Sequence, residues 1–346
     1  MKKSSLVVAI ILVLSLLPAI HAVDVGTGIG VTMETEDFPP LVWMCNRTIA
    51  DDNVEQGENG PSLVERHNNY AFEGESVSWL VLVMDKNGVE KISDVYATIG
   101  ATQGAGNDIE VNCDETSISE ILESCNARIG EEELTEFDPN TMRYYTCTLT
   151  VESPDSMYGE YYVTVEAEDL DGLTGTFDEN EYWFFNPVLA LSITGNLDFG
   201  IVRPGTTSYS DTILVGNDAD EGSGVTLDMY ISGTDFYDPT SSGAKCPTTN
   251  QLALTNFRYY AVNGAYTTAS APGADAEGYL GIPYGNRITQ AQRIIDGAPY
   301  GAGAAHHPGN TLSPGSEMAI TFKLNLPEPC NGDFSDGNIY FWGEAV

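Results

Sequence analysis

Apolar and polar residues alternate along most of this chain with a period of two, the spacing of a half-buried β-strand rather than of a helix. The pattern is sharpest after Ala22. Val23, Val25, Ile29, Val31 and Met33 fall on one face, with Thr27 the polar exception, while Asp24, Gly26, Gly28, Gly30, Thr32 and Glu34 fall on the other. Such a strand of about eleven residues spans ~36 Å, enough to run the length of a sandwich. Pro39-Pro40 follows as a stiff joint after Phe38. Glycine weakens a free strand, so neighbours must hold this one. They belong either to its own domain or to an adjoining subunit whose sheet it completes.

Further on, Val77 to Met84 reads as a buried strand, Asp85-Lys-Asn-Gly88 as a turn and Ile92 to Ile99 as the strand's hairpin partner. More strands are predicted at Ile109 to Cys113, Arg143 to Val151, Tyr161 to Ala167 and Tyr182 to Phe185. Ser117-Ile-Ser-Glu120 has the form of a capping box opening a short helix to about Cys125, placed over a sandwich end. Asn186-Pro187 marks a domain break.

The second half predicts strands at Val188 to Thr194, Phe199 to Val202, Thr212 to Val215, Val225 to Ser232, Phe257 to Val262, Met318 to Leu326 and Asn338 to Trp342. Between Ala265 and Pro314 runs a long excursion rich in Gly, Ala and Tyr. Its one periodic piece, Gln290 to Asp296, carries helix signals in Thr289, Gln292 and Gly297. The spacing of strands and turns suits two β-sandwich domains, at 39–187 and 188–346, behind a signal peptide at 1–22 and an N-terminal strand at 23–38.

The signal reading comes from Lys2 and Lys3, the apolar run Leu6 to Leu17, and a short cleavage region from Pro18 to Ala22. The run is short for a spanning helix, which favours a cleaved signal over an anchor, and no second apolar stretch of spanning length follows. Export and a surface location are expected. Loss of Lys2 and Lys3 leaves 12 basic residues against 51 acidic ones, a field that repels nucleic acid and anionic lipid. Six cysteines remain, an even number suited to disulfides in an oxidising compartment. The domain break makes Cys246 to Cys330 the simplest pair. For the other four, Cys113 with Cys125 and Cys45 with Cys147 is the favoured choice among three. Asn46-Arg47-Thr48 is the one glycan acceptor sequon.

Two stretches carry a resemblance. Gly159 to Gly172, an aromatic-rich strand before an acidic turn, resembles the penultimate strand of bacterial and archaeal immunoglobulin-like domains. Leu197-Asp-Phe-Gly-Ile-Val-Arg-Pro-Gly-Thr206, followed by Asp211 to Asn217, looks like the opening of immunoglobulin-like surface domains, and departs from them at the acidic Asp218 to Gly222. The whole chain is similar in style to exported archaeal proteins. The resemblance implies an all-β protein of two immunoglobulin-like or jelly-roll-type sandwiches in tandem, and a fold does not fix a function.

Candidate chemistry is sparse. His67 and the pair His306-His307 lack a third ligand in sequence, no Cys-x-x-Cys appears, and no nucleophile elbow, zinc-protease or phosphate-loop motif is present. No catalytic residue and no cofactor other than calcium is expected. The acidic turns Asp169 to Gly172, Asp218 to Glu221, Asp235 to Asp238 and Asp336 to Asn338 place oxygens at sandwich ends, where extracellular modules bind calcium; Asp169 and Asp171 are the candidate ligands. Asp and Gly are also ordinary turn residues. Tyr259, Tyr260, Tyr266, Tyr279, Tyr284 and Tyr300 surround the long excursion and offer contact area for a glycan or protein. The sequence therefore points to a non-enzymatic protein of the cell envelope. It either assembles through Val23 to Met33 or acts as an adhesin through the Tyr-rich loop, and a hydrolase is the remotest reading.

Overall fold

The structure, a computed structural model, describes residues 32–50, 68–104, 107, 109–127, 132–177, 181–296 and 308–346, with side chains in the first range only as far as Asn46. The expected signal, the strand positions Val23, Val25, Ile29 and Val31, and His67, Tyr300, His306 and His307 lie outside the described residues. Met1–Asp37 and Phe38–Val346 cluster as separate units. Among the described residues of the second unit every regular element longer than a 3-10 turn is a strand.

The first half contributes β1 (Leu41–Ala50), β2 (Tyr70–Ala71), β3 (Ser76–Met84), β4 (Ile92–Gly100), β5 (Ile109–Thr116), β6 (Met142–Thr150), β7 (Gly159–Asp169), β8 (Thr174–Phe177) and β9 (Tyr182–Phe185). They follow the order β1-β3-β6-β5-β4-β7-β9-β2, with β8 beside β7. The sheet folds into two layers at β5, which pairs with β4 as far as Asn112 and with β6 from Cys113 onward. Val77, Trp79, Val81 and Val83 of one layer meet Val95, Ala97, Ile99, Val163 and Val165 of the other. On the far side of the fold Gly175 lies against the main chain of Pro40, where any Cβ would collide. β3 reads as a continuous apolar run because both its faces are covered. Trp43, Leu82, Met84 and Tyr144 on the outer face pack with Leu134, Cys125 and the apolar residues near them.

Three sequence expectations for this half are corrected. β3 pairs with β1 and β6, not with β4. After the Asp85–Gly88 turn a 3-10 turn at Val89–Lys91, tied to Asn140 by Val89 N–H, carries the chain across to the other layer. The helix from Ser117 is a 3-10 turn at Glu123–Asn126 without a side-chain cap, and it covers a sheet face rather than a sandwich end. The disulfides join Cys45 to Cys125 and Cys113 to Cys147, not Cys113 to Cys125 and Cys45 to Cys147. Cys113 stands directly opposite Cys147 once β5 has changed layers, with 3.9 Å between Cα atoms, which leaves Cys125 over β1. Closing loops of 80 and 34 residues stabilises the fold by about 4 kcal/mol each in the chain-entropy picture.

The second half contributes β10 (Leu191–Thr194), β11 (Thr207–Tyr209), β12 (Ile213–Asn217), β13 (Leu227–Gly233), β14 (Phe257–Asn263), β15 (Tyr266–Thr267), β16 (Leu280–Gly281), β17 (Gln292–Arg293), β18 (Thr311–Leu312), β19 (Glu317–Asn325) and β20 (Ile339–Ala345). One layer runs β10-β12-β19-β14-β15, with β11 beside β19 and β16 beside β14. The other centres on β13. β20 pairs with all seven of its residues, so β17 and β18 lie along its opposite edge. Val215, Ile320, Phe322 and Tyr259 pack against Leu227, Met229 and Ile231. The helix expected at Gln290 to Asp296 is replaced by a 3-10 turn at Ile288–Gln290 and by β17. Arg293 bonds to the fully buried Asp228 at 2.9 Å, and Asn310 bonds to the same carboxylate at 2.6 Å, so the excursion is fastened to β13 on both sides.

The halves meet end to end. Tyr70, fully buried, donates its hydroxyl to the main-chain oxygen of Val346 at 2.7 Å, and it joins the second core together with Phe184. Asn68 bonds to the Gly224 carbonyl, and Asp220 accepts from the Tyr158 hydroxyl and from Val188 N–H. The acidic departure at Asp218 to Gly222 is thus part of the junction. Asn186 is a knot at the end of the first half: its side chain bonds to Glu152, Met157 and Glu73, and its φ of 51° is left-handed. Asn186→Ala should cost about 2–4 kcal/mol in urea unfolding, since one buried and two part-buried bonds are lost and alanine disfavours that φ. Asn186→Gly, which relieves only the backbone, should recover about 1 kcal/mol of that loss.

Candidate functional site

The second half carries a groove of about 620 Å³. Its floor is apolar because inward positions of three paired strands converge there: Ile213 from β12, Phe257 from β14, and Phe322 and Leu324 from β19. One wall is Ile339 and Phe341 of β20. The other is formed by residues 195–204, whose Leu197, Phe199 and Val202 pack toward the core, Phe199 lying 5.8 Å from Phe257 between ring centres. Phe199 to Val202, expected as a strand, belongs to none, and Ile201 is fully exposed. β10 stops at Thr194 and β11 pairs with β19 alone, so on this side the layer ends short.

A polar rim holds the groove open. Cys246 and Cys330 are bonded beside it, and main-chain bonds between Lys245 and Asn331 continue that tie. Two acidic turns considered for calcium come together here. Asp238, buried, accepts from Thr240, Ser241 and Asp333 N–H groups, which hold its carboxyl below the ordinary carboxylate range. Asp235 accepts from Leu254 N–H and from the Gln251 amide, and Asp336 exchanges main-chain bonds with Tyr237. The Asp235 and Asp238 carboxylates are turn acceptors.

Asp169 and Asp171 stand at the far end of the first half. Asp169 Oδ1 accepts from the N–H groups of Asp171 and Leu173, and Asp171 Oδ2 pairs with Lys91 Nζ at 2.7 Å. Among the described residues no three His, Cys, Asp or Glu converge at metal-binding distance. Beside them is an acid the sequence reading did not single out. Asp85 is fully buried; its Oδ1 accepts from Asn87 N–H and its Oδ2 has no hydrogen-bond partner. Burial, then the charge of Asp169, push its carboxyl above the ordinary range.

The tyrosines divide. Tyr259 is a core residue whose hydroxyl reaches Ile294 O at 2.9 Å. Tyr260, Tyr279 and Tyr209 form a row with ring centres 5.5 and 5.8 Å apart, and Lys323 lies over Tyr279 while paired with Asp275 and Glu277. Tyr266 packs against the core and Tyr284 is exposed. The excursion thus packs most of its described tyrosines onto its own sandwich. Asn46 is exposed beside a bulge in β1. Thr32 to Asp37, including Met33, are exposed and in no strand. No helix among the described residues is long and apolar enough to cross a membrane.

No family model and no curated protein matches this chain. Among solved structures it is similar to the C-terminal domain of the Streptococcus agalactiae AgI/II polypeptide BspA, at 11% identity over 89% of this chain and 97% of that one, with a TM-score of 0.28. It is also similar to a DUF4785 family protein of Legionella pneumophila, at 7% identity over 81% of this chain and 46% of that one, with a TM-score of 0.21. At such scores neither likeness defines a common fold.

The pKa of Asp85 is higher in the folded than in the unfolded chain, so its ionisation opposes folding. Its favourable contribution is complete below the unfolded value and is lost as pH rises through the folded one. Asp85→Asn keeps an acceptor for Asn87 and removes the charge. It should raise stability at pH 7 by about 1 kcal/mol, with the gain vanishing near pH 3, as read by urea unfolding across pH.

Proposed function

We propose that this chain is an exported, non-catalytic structural protein of the cell envelope that joins its neighbours through the segment Val23 to Met33. The observation that carries the reading is the exposed lead from this segment into the folded unit. Thr32 to Asp37 belong to no sheet, Met33 is 81% exposed, and Phe38 is fixed by its N–H to Asn87 Oδ1 and by the Lys86 ammonium over its ring. An alternating face of valine, isoleucine and methionine requires apolar cover, and a sheet of another subunit supplies it by strand addition. All six cysteines are paired, which suits an oxidising, extracellular compartment and accords with the signal pattern at 1–22. Asn46 of the Asn46-Arg47-Thr48 sequon is exposed. The partner is a second copy or another envelope component, and the acidic surface disfavours nucleic acid.

A second reading, adhesion to a glycan or protein, draws on the row Tyr209, Tyr260 and Tyr279 and on the exposed Tyr284. Glycan-array binding that disappears in Tyr279→Ala and Tyr284→Ala would favour it.

The main test is the mass of the chain starting at Val23, measured by light scattering across a concentration series. Oligomers or fibres that are absent from the variant lacking residues 23–35 are expected. A chain that stays monomeric at high concentration, with or without those residues, overturns assembly.

A further inference from the structure

We infer that the groove beside β20 accepts Val23 to Met33 of a second copy of this chain as an added strand; the inference rests on the assembly reading and names its acceptor. β20 is an edge. Among the described strands it pairs with β13 alone, which leaves the main-chain groups on its other side available to a new strand. Its inward residues Ile339 and Phe341 already line the groove, so a strand laid alongside would send every second side chain onto the same apolar floor. The segment has that period: Val23, Val25, Ile29, Val31 and Met33 on one face. Its three glycines fall on the other face, where residues without side chains let the wall at 197–202 stay close. The layer that ends at β10 and β11, next to a strand-patterned stretch that joins no sheet, is short of a strand at this place.

Chain reach assigns the partnership to two copies. In the first half the junction lies at the end of β3 near Ser76, by Tyr70 and Asn186, while Phe38 is held beside Asn87 just past Met84, at the opposite end. In the second half the junction lies at Leu227 and Val346, while the groove opens at Gly233, Ile339 and Phe257, again at the opposite end. A path from Phe38 to the groove covers the length of β3, about 30 Å, and much of β13, about 23 Å. The five residues from Met33 to Phe38 reach at most about 18 Å. The same contact repeated between copies is head-to-tail and builds a ring or an open filament according to the rotation between copies.

The test uses the chain starting at Val23 with a photo-cross-linking amino acid at Ile29, mixed in equal amounts with isotopically heavy chain, together with hydrogen exchange of the assemblies. Cross-links between light and heavy copies that map to residues 197–202 or to β20 are expected, with at least ten-fold slower exchange in β20 than in the variant lacking residues 23–35. Ile29→Asp, which alters the donor and leaves the sandwiches untouched, should remove both signals. Assemblies that depend on residues 23–35 but cross-link elsewhere, with β20 exchange unchanged, overturn the groove and leave the assembly reading standing. Cross-links confined to single chains overturn the partnership between copies, and failure to assemble at all overturns both proposals.

Discussion

A β-sheet ends in rows of unpaired main-chain N–H and C=O groups, and how each edge is closed organises this protein. In the first half the sheet bends at β5 so that β1 comes round to β8, and Gly175 permits the contact because Pro40 occupies the place of a side chain. Two cores then form on the two faces of one layer, which explains why β3 is apolar throughout. The second half is built to a different end. Its central strand β13 has neighbours on both edges, but β20 and the β10 to β11 border stop short of each other, and the gap is the groove.

Covalent and polar ties act on the same problem. The Cys113 to Cys147 bond sits where β5 changes layers, and the Cys45 to Cys125 bond fastens the cover over the outer face. Asp220, Asp235, Asp238 and Asp169 accept main-chain N–H groups that no sheet ladder satisfies. Much of the conspicuous acidity along the turns is therefore structural. A carboxylate can accept several N–H bonds where a turn exposes them, at little cost while one edge stays wet.

How much of this was legible depends on the range of the interaction. Period-two alternation located most strands within a few residues, because the pleat puts alternate side chains on opposite faces whatever the partner strand. It failed at Phe199 to Val202, where the pattern is right and no partner is present, and at Gln290 to Asp296, where a local helix signal lost to pairing with β13. The Asn87-Gly88 turn resembled a hairpin because a turn motif reports a change of direction and not the layer the chain enters. Asp85 left no signal, since its raised pKa comes from burial and from the charge of Asp169, remote in sequence.

The sequence by itself determined the all-β class, an even set of cysteines, the acidic surface and the alternating segment from Val23, each a property of composition or of neighbours a few residues apart. Only the tertiary structure decided which cysteines bond, that Asn186 knots together Glu73, Glu152 and Met157 at the end of the first half, and that β20 borders a groove with an apolar floor. These depend on strand order and register, which join residues tens to hundreds of positions apart, and no local pattern encodes which edge remains open.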